Sequence, residues 1–278
     1  MKQLFDEVSI ASSKLTTKTY STSFSLGINC LNGKFHDAIY SIYGFVRFAD
    51  EIVDTFHEYD KEELLREFKN DTYKAIDRKI SVNPILNSFQ QVVNDYNIDH
   101  ELIECFLNSM EMDLAKNAHN LQSYEQYILG SAEVVGLMCL RVFTERDEKM
   151  YQQLKPSAMS LGAAFQKVNF LRDLKADYQT LGRVYFPQID MKVFSDVEKA
   201  EIEKDIQKDF DAALEGIKKL PRSSRFGVYV AFVYYLRLFK KIKAVPSNDI
   251  MKQRIRVPNY QKMGLLAGSY LKHSFSLL

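Results

Sequence analysis

Two segments decide the fold: YGFVRFADEIVD (Tyr43–Asp54) and FQKVNFLRDLKAD (Phe165–Asp177), which carry the same DxxxD spacing of carboxylates. The paired residues are Asp50 with Asp54 and Asp173 with Asp177. Residues four apart on a helix project from one face, about 5–6 Å apart at Cβ. Two such pairs facing each other across a cavity would gather four carboxylates, which a buried site tolerates only with a counter-charge. The natural counter-charge is Mg²⁺, which takes one or two carboxylates plus phosphate oxygens.

Each carboxylate pair extends a longer polar stripe. Tyr43 and Arg47 precede the first pair, and Gln166 and Asn169 precede the second, at helical spacings. The remaining positions of both segments are largely apolar, which is typical of buried helices, so we expect each stripe to face an internal space. The alternative is the solvated face of an ordinary amphipathic helix. Two stripes, each in apolar surroundings, favour the internal site.

The chain has 278 residues, with 37 Lys and Arg against 36 Asp and Glu, and therefore a formal net charge of +1. No basic excess exists to neutralise phosphate backbones, which argues against nucleic acid as the main partner. A local basic patch is still compatible with this balance. The length allows one or two domains.

The cysteines and the hydropathy pattern bear on location. Cys30, Cys105 and Cys139 lack metal-ligand spacing and lie in apolar surroundings, which predicts small buried side chains in a reduced, intracellular protein. Charged residues in the first twenty positions argue against a signal peptide. The apolar stretch Phe226–Leu236 is shorter than the ~20 residues that cross a bilayer. We expect a cytoplasmic protein, at most peripheral to the inner face of the membrane.

Helical periodicity dominates the chain and predicts an all-α fold. The clearest helix is 195–219, where Ser195 and Glu198 form a capping-box pattern. Gly227–Tyr235 has strand propensity, but a lone buried strand would leave its backbone groups unpaired, so we expect a core helix. Pro156 marks either a break or a kink in a continuing helix. The other predicted helices cover residues 4–18, 36–56, 60–77, 84–95, 100–118, 123–143, 147–178, 223–243 and 259–276.

The segment Tyr178–Asp190 loses helical periodicity directly after the second carboxylate pair and contains Gly182 and Pro187. It predicts a loop at the C-terminal end of that helix. A loop hinged there would close over the site and exclude water. A plain connector is the equal alternative.

Five motifs link the chain to a known family. They are STSF (Ser21–Phe24), YGFVRFADEIVD (Tyr43–Asp54), GSAEVVGLM (Gly130–Met138), AAFQKVNFLRDLKAD (Ala163–Asp177) and GRVYFP (Gly182–Pro187). With them the chain resembles the squalene/phytoene synthase family of head-to-head prenyltransferases over nearly its whole length, and most closely the bacterial phytoene synthases. The resemblance implies one domain across residues 1–278, an all-α isoprenoid-synthase bundle around a central cavity. Leu129 is a departure, because related enzymes often carry a tyrosine before this glycine.

The resemblance also implies roles for individual residues. In the family, the two aspartate motifs hold Mg²⁺, with Mn²⁺ as the alternative ion, and the metal binds the diphosphates of two prenyl donors. The implied metal ligands are Asp50, Asp54, Asn169, Asp173 and Asp177, and the four aspartates act in catalysis together with Tyr43 and Arg47. The implied substrate-binding residues are Ser21, Ser23, Phe24, Gln166, Asn169, Arg172, Arg183, Tyr185, Tyr235 and Arg256. Arg254 lies in the same region as Arg256, and the sequence leaves open which of the two matches the family arginine.

The implied reaction condenses two geranylgeranyl diphosphates through a cyclopropyl diphosphate to phytoene, in carotenoid biosynthesis, with no need for NADPH. The alternative within the class uses two farnesyl diphosphates and gives dehydrosqualene, or squalene if a reductant joins. An alternative of another class is a non-catalytic assembly or scaffold protein. Such a protein is expected to lose carboxylates, whereas all four are present.

The same chemistry predicts an apolar cavity wall, because a carbocation must be shielded from water. The candidates are Phe24, Val134, Val135, Leu137, Phe165 and Phe232, with Gly136 and Gly162 leaving room for the chains. Each of the six side chains is equally compatible with an ordinary core position. Arg47 is well placed to bind phosphate. The alternative is a salt bridge to Asp50 or Asp54, and the two roles are compatible if the bridge persists until substrate arrives.

Two further features complete the predictions. Asp113 matches a recurrent family position, for which we favour a supporting structural role. The basic runs 240–243 and 252–256 predict solvated surface, and peripheral contact with anionic lipid is the minority interpretation.

Overall fold

The computed structural model describes residues 1–114, 120–176, 185–187, 194–250 and 254–274, without the side chains of residues 176 and 272–274. Its helices are α1 (Lys2–Tyr20), α2 (Thr22–Asn29), α3 (His36–Thr55), α4 (Lys61–Arg78), α5 (Pro84–Tyr96), α6 (His100–Leu114), α7 (Leu121–Ile128), α8 (Val134–Thr144), α9 (Glu148–Ala176), α10 (Asp196–Lys219), α11 (Arg222–Lys243), α12 (Ser247–Ile250) and α13 (Asn259–Ser274). A 3₁₀ turn (Gly33–Phe35) precedes α3, and a π-helical turn (Leu129–Glu133) joins α7 to α8. The described ranges contain no strand, and the predicted all-α class is confirmed.

Local sequence signals set several helix ends. Ser195 and Glu198 form the predicted capping box at the start of α10. Asn83 caps α5 through the backbone N–H groups of Ile85 and Leu86, and Pro84 occupies the first turn, where its missing N–H costs nothing. Helix α9 continues through Pro156, so the prediction of a continuing helix is the correct one.

The segment with strand propensity, Gly227–Tyr235, lies wholly within α11, as predicted. Two short helices, α2 and α12, were not predicted, because eight and four residues are too few for a periodic signal. The predicted ends of the helices at 100–118, 147–178 and 259–276 fall partly outside the described residues.

Two hydrophobic cores hold the helices together. In the first, Phe45 of α3 stacks on Phe89 of α5 with ring centroids 3.8 Å apart. In the second, Phe210 of α10 stacks on Phe239 of α11 at 5.5 Å. Between the two cores lies a cavity lined by residues of α2, α3, α6, α8, α9, α10 and α11. Helix α3 packs in the first core, whereas the carboxylate-bearing second half of α9 packs in the second, and the two meet across this cavity.

One continuous helical run, Leu121–Thr144, is long and apolar enough to cross a membrane by length and composition alone. Its most apolar window is 61% buried within the protein. Most of that apolar surface is thus covered by neighbouring helices, as in a core helix of a folded domain.

Candidate active site

The cavity between the two cores has a volume of about 600 Å³. Its polar side chains cluster on α3, on the second half of α9 and beside them. This polar group consists of Ser21, Tyr43, Arg47, Asp50, Asp54, Asp113, Gln166, Asn169, Arg172, Asp173, Tyr185, Tyr235 and Arg254. Three of the four predicted carboxylates thus line one cavity, while Asp177 and Arg183 lie outside the described residues, and their roles stay predictions.

Arg47 is held on α3 by two contacts. Its guanidinium pairs with Glu51, one turn further along the helix, and lies over the ring of Tyr20 at 4.3 Å. The ion-pair partner is therefore Glu51 rather than Asp50 or Asp54, the two alternatives taken from the sequence. The buried Nε of Arg47 has no hydrogen-bond acceptor among the described residues. This leaves one donor available to an anionic ligand.

The ionised form of the Asp50 carboxyl is destabilised by its surroundings. Burial and then the neighbouring charge of Asp54 raise the pKa of its carboxyl to about 7, with Asp113 as a smaller contributor. Arg47 acts in the opposite direction. A cation placed between Asp50 and Asp54 would relieve this repulsion, so the donor set on α3 fits a hard divalent ion.

On α9, two arginines converge on one carboxylate. Arg172 donates from Nε to Oδ1 of Asp173 at 3.0 Å, and Nε of Arg254 forms an ion pair with the same oxygen at 2.7 Å. Arg256, in contrast, does not line the cavity, and its backbone carbonyl accepts a hydrogen bond from Lys241. Of the two arginines that the sequence left open, Arg254 is the one beside the carboxylates.

Aromatic rings form a wall next to this polar group. Phe165 stacks on Tyr235 with centroids 3.9 Å apart, and Phe24 packs against both Tyr43 and Tyr235. Tyr235 donates to Oδ1 of Asn169 at 3.4 Å. These contacts bring α2, α3, α9 and α11 together at one point.

The position of Phe24 depends on a helix cap. Ser21 ends the extended link between α1 and α2, and its hydroxyl accepts the backbone N–H of Phe24 at 3.2 Å. The Ser21 hydroxyl also hydrogen bonds the phenol of Tyr43, whose pKa burial raises to about 12. Ser23, which the resemblance placed in the site, does not line the cavity.

One cluster of the cavity wall joins Asp113 and Tyr185, which the sequence analysis named, with Tyr127, which it missed. Tyr127 donates to Oδ2 of Asp113 at 2.6 Å, and Tyr185 donates to Oδ1 of the same carboxylate at 3.3 Å. Asp113 is 8% exposed, and its charge and burial together raise the pKa of Tyr127 well above its usual range. The supporting role favoured for Asp113 agrees with this geometry. The two tyrosines could have been placed beside it only with knowledge of the tertiary fold.

Most of the rest of the cavity is apolar, although Ser131 and Ser157 also line it. It is lined by Phe24, Ile28, Leu31, Ile39, Ile42, Val46, Met110, Val135, Leu140, Phe143, Leu154, Leu161, Phe165, Ala213, Ile217, Leu220, Val228 and Ala231, and by the glycines 27, 136, 162, 216 and 227. Of the predicted wall residues, Val134, Leu137 and Phe232 are instead packed in the cores. A cavity with ionic groups on one side and hydrocarbon on the other fits a ligand with an anionic head and a long apolar tail.

The described residues contain no group of three or more His, Cys, Asp or Glu side chains that would hold a metal by themselves. Mg²⁺ usually keeps several waters and binds through one or two carboxylates plus phosphate oxygens. The carboxylates of α3 and α9 therefore fit an ion shared with a phosphate ligand better than a closed protein cage.

Comparison with known proteins identifies the family of this chain. The family model for squalene/phytoene synthase matches residues 17–261. Phytoene synthase 1, chloroplastic, of Solanum lycopersicum is 27% identical over 91% of this chain and 65% of its own length. Phytoene synthase of Arthrospira platensis is 25% identical over 92% of this chain and 90% of its own length. The chain thus spans slightly less than two thirds of the tomato protein.

Solved structures give the same fold. A dehydrosqualene synthase in complex with ligand superposes with a TM-score of 0.79 at 22% identity, covering 96% of this chain and 98% of that one. A squalene synthase from Alicyclobacillus acidocaldarius superposes with a TM-score of 0.74 at 18% identity, covering 86% and 94%. The fold and the cavity define an isoprenoid-synthase type of helical protein. The chain belongs to the squalene/phytoene synthase family, whose members are prenyltransferases.

Proposed function

We propose that the protein is a phytoene synthase, which condenses two geranylgeranyl diphosphates head to head and releases diphosphate. The observation that carries the proposal is the cavity itself, in which three arginines and four carboxylates stand at the end of an apolar space. Relatives named phytoene synthase, at 25–27% identity over 91–92% of this chain, support the same reaction.

In this proposal the polar residues act on the leaving group. The C–O bond of one allylic diphosphate breaks, which leaves an allylic carbocation and inorganic diphosphate. Negative charge grows on the leaving oxygens, where Arg172, Arg254 and the free Nε of Arg47 would donate. Bound Mg²⁺, held by Asp50 and Asp54 on one side and by Asp173 on the other, would supply Lewis-acid stabilisation of the same charge.

The apolar residues act on the carbocation. The stacked rings of Phe165 and Tyr235, with Phe24 at their edge, face the cavity next to the polar group. Aromatic faces stabilise a nearby cation, and the surrounding hydrocarbon excludes the water that would quench it. The cation alkylates the double bond of the second donor, and loss of a proton closes the cyclopropyl diphosphate. A second ionisation, rearrangement and proton loss give the hydrocarbon.

Location and lipid contact are further parts of the proposal. A C40 hydrocarbon product is insoluble in water, which favours release at a membrane. The basic run 240–243 ends α11, where Lys240 and Lys243 are exposed. Contact of this end with anionic lipid of the inner membrane face stays a prediction.

The experiment is product analysis with purified protein, Mg²⁺ and either C15 or C20 diphosphate, with and without NADPH. We expect a C40 hydrocarbon from the C20 donor with no dependence on NADPH. A C30 product from the C15 donor alone would replace phytoene with dehydrosqualene or squalene. No hydrocarbon from either donor, in protein shown to be folded, would contradict the enzyme and favour the scaffold alternative.

A further inference from the structure

Helix α1 has its polar face inside and its apolar face outside. Its buried residues are Ser9, Ser13 and Thr17, each 0% exposed. Ser13 hydrogen bonds Ser88 of α5 at 2.8 Å, and a Cβ on Gly44 of α3 would come within 2.7 Å of the Ser13 hydroxyl. These small side chains let α1 lie close against α3 and α5. The helix is therefore held by its polar side, which leaves the other side available.

The outer side carries an apolar stripe. Leu4, Val8 and Leu15 are 64%, 51% and 68% exposed, and Ala11 between them is exposed as well. Their spacings of four, three and four residues are those of the a and d positions of a coiled coil. A soluble helix normally buries such a stripe. The stripe lies on the side of α1 opposite the buried face formed by Ser9, Ser13 and Thr17, so it points away from α3 and α5.

Charges beside the stripe indicate what covers it. Glu7 and Lys14 lie two turns apart on the same flank. Glu7 accepts a hydrogen bond from Gln3, and Lys14 lies over the ring of Tyr40 at 5.6 Å, but neither has an ion-pair partner in the part of the chain that the structure describes. If a second α1 packed antiparallel on the first, the two-fold axis would pass between Val8 and Ala11. Glu7 would then face the partner's Lys14, and Lys14 the partner's Glu7.

The apolar layers match in the same register. Leu4 would pack on the partner's Leu15, and Val8 on the partner's Ala11. Neither layer brings like charges together. A parallel pair would instead set Glu7 and Lys14 beside uncharged Ser12 and Thr19, and would bring the two Lys18 side chains together. We propose that a second copy of this chain covers the stripe, through an isologous antiparallel pairing of α1 with α1.

A charge-swap experiment tests this pairing. The single changes Glu7→Lys and Lys14→Glu each place like charges opposite one another at both ends of the pair, and we expect each to weaken dimerisation at least about tenfold. The double variant with both changes restores opposite charges and should recover the wild-type dimer. Sedimentation velocity from low to high micromolar protein measures the association constant, and circular dichroism confirms folding.

Two controls distinguish a second copy of this chain from other occupants of the α1 stripe. Leu15→Glu should abolish the dimer, and flotation with anionic phosphatidylserine vesicles tests a membrane as occupant. A wild-type protein that is monomeric throughout, but binds vesicles more tightly as Glu7→Lys, would overturn the proposal in favour of lipid. Single and double charge variants that dimerise equally well would overturn the antiparallel register.

Discussion

Arg254 forms an ion pair with Asp173, with Nε and Oδ1 2.7 Å apart, although 81 residues separate the two in the chain. Arg172 shares the same carboxylate, so two guanidinium groups stand at the C-terminal part of α9. Two guanidinium groups placed side by side at the cavity suit a diphosphate group.

The first prediction follows from this pair. Arg254→Ala should lower turnover about 10- to 100-fold, because a donor aimed at the leaving group stabilises the transition state. Arg256→Ala is the matched control, since this residue lies two positions further and outside the cavity, and it should stay within about twofold of wild type. Steady-state kinetics on both variants decide. A larger loss in Arg256→Ala would reassign the family arginine.

The second prediction concerns the carboxylates. Asp50→Asn or Asp173→Asn should reduce turnover at least about a hundredfold with the fold intact, and chelation of divalent ions should abolish it. Asp71→Asn serves as control, because this carboxylate is exposed and pairs with Lys74, away from the cavity lining. Near-normal turnover in a folded Asp50→Asn or Asp173→Asn protein would remove that residue from the proposed metal site.

Periodicity predicted most of the helices, because a buried apolar stripe repeats over three or more turns, as in α10. It could not predict α2, whose eight residues are positioned by the Ser21 cap and by the approach of α11. A Cβ on Gly227 of α11 would lie 2.7 Å from the carbonyl oxygen of Gly27 of α2. A contact between two glycines so far apart in the sequence produces no periodic pattern of apolar residues.

The site was predictable to the extent that its residues share a helix. The spacing of Asp50 and Asp54 was enough to predict that they share one face of a helix. Tyr127 and Asp113, in contrast, lie on different helices, and their contact depends on the tertiary fold. The orientation of α1 was equally unpredictable from the sequence. Leu4 and Val8 are apolar yet exposed, whereas close packing against neighbouring helices places the serines inside. Tertiary contact, rather than hydropathy, decides these positions.

The third prediction tests the Asp113 cluster. Tyr127→Phe removes the 2.6 Å hydrogen bond to Asp113 and should lower the free energy of unfolding by about 1–3 kcal/mol, because a buried carboxylate loses a donor. Tyr73→Phe is the matched control, since the buried Tyr73 hydroxyl has no hydrogen-bond partner among the described residues. Urea unfolding of both variants gives the comparison. Equal stabilities of the two variants would show that the bond contributes nothing.

The fourth prediction addresses the length of the hydrocarbon chain. Gly136 lines the cavity, but a Cβ there would lie 3.0 Å from the carbonyl oxygen of Ala158, so enlargement would strain the contact of α8 with α9. Ala163 does not line the cavity and packs in the second core. Enlargement of either residue is therefore a poor test of the channel.

Ala231 of α11 is a better probe, because it lines the cavity and is not fully buried. Ala231→Leu should fill part of the apolar space and lower turnover of the C20 donor more than that of the C15 donor. Ala200→Leu, on the exposed side of α10, supplies the control. An unchanged ratio of C20 to C15 turnover, in an Ala231→Leu protein of wild-type stability, would place this residue outside the channel.

The last prediction concerns pH and a charged cluster between the two cores. Glu133, in the π-helical turn, has its pKa raised to about 7 by burial and then by the charge of Asp209, which Lys167 only partly offsets. Lys167 of α9 donates to Asp209 at 2.7 Å and also pairs with Asp205 of α10. Three carboxylates therefore surround one ammonium group.

The sign of the effect follows from proton linkage. The folded state holds the Glu133 proton more tightly than the unfolded state, in which the pKa is near its ordinary value of 4.5. Stability associated with this group is thus fully present below about pH 4.5 and is lost as the pH rises through about 7. Glu133→Gln, which mimics the protonated form, should be more stable than wild type at about pH 8 and should lose this advantage towards about pH 4.5. Thermal or urea unfolding across that range measures the difference. Two stability curves that run parallel from acid to alkaline pH would show that Glu133 ionises in the folded protein as freely as in the unfolded chain.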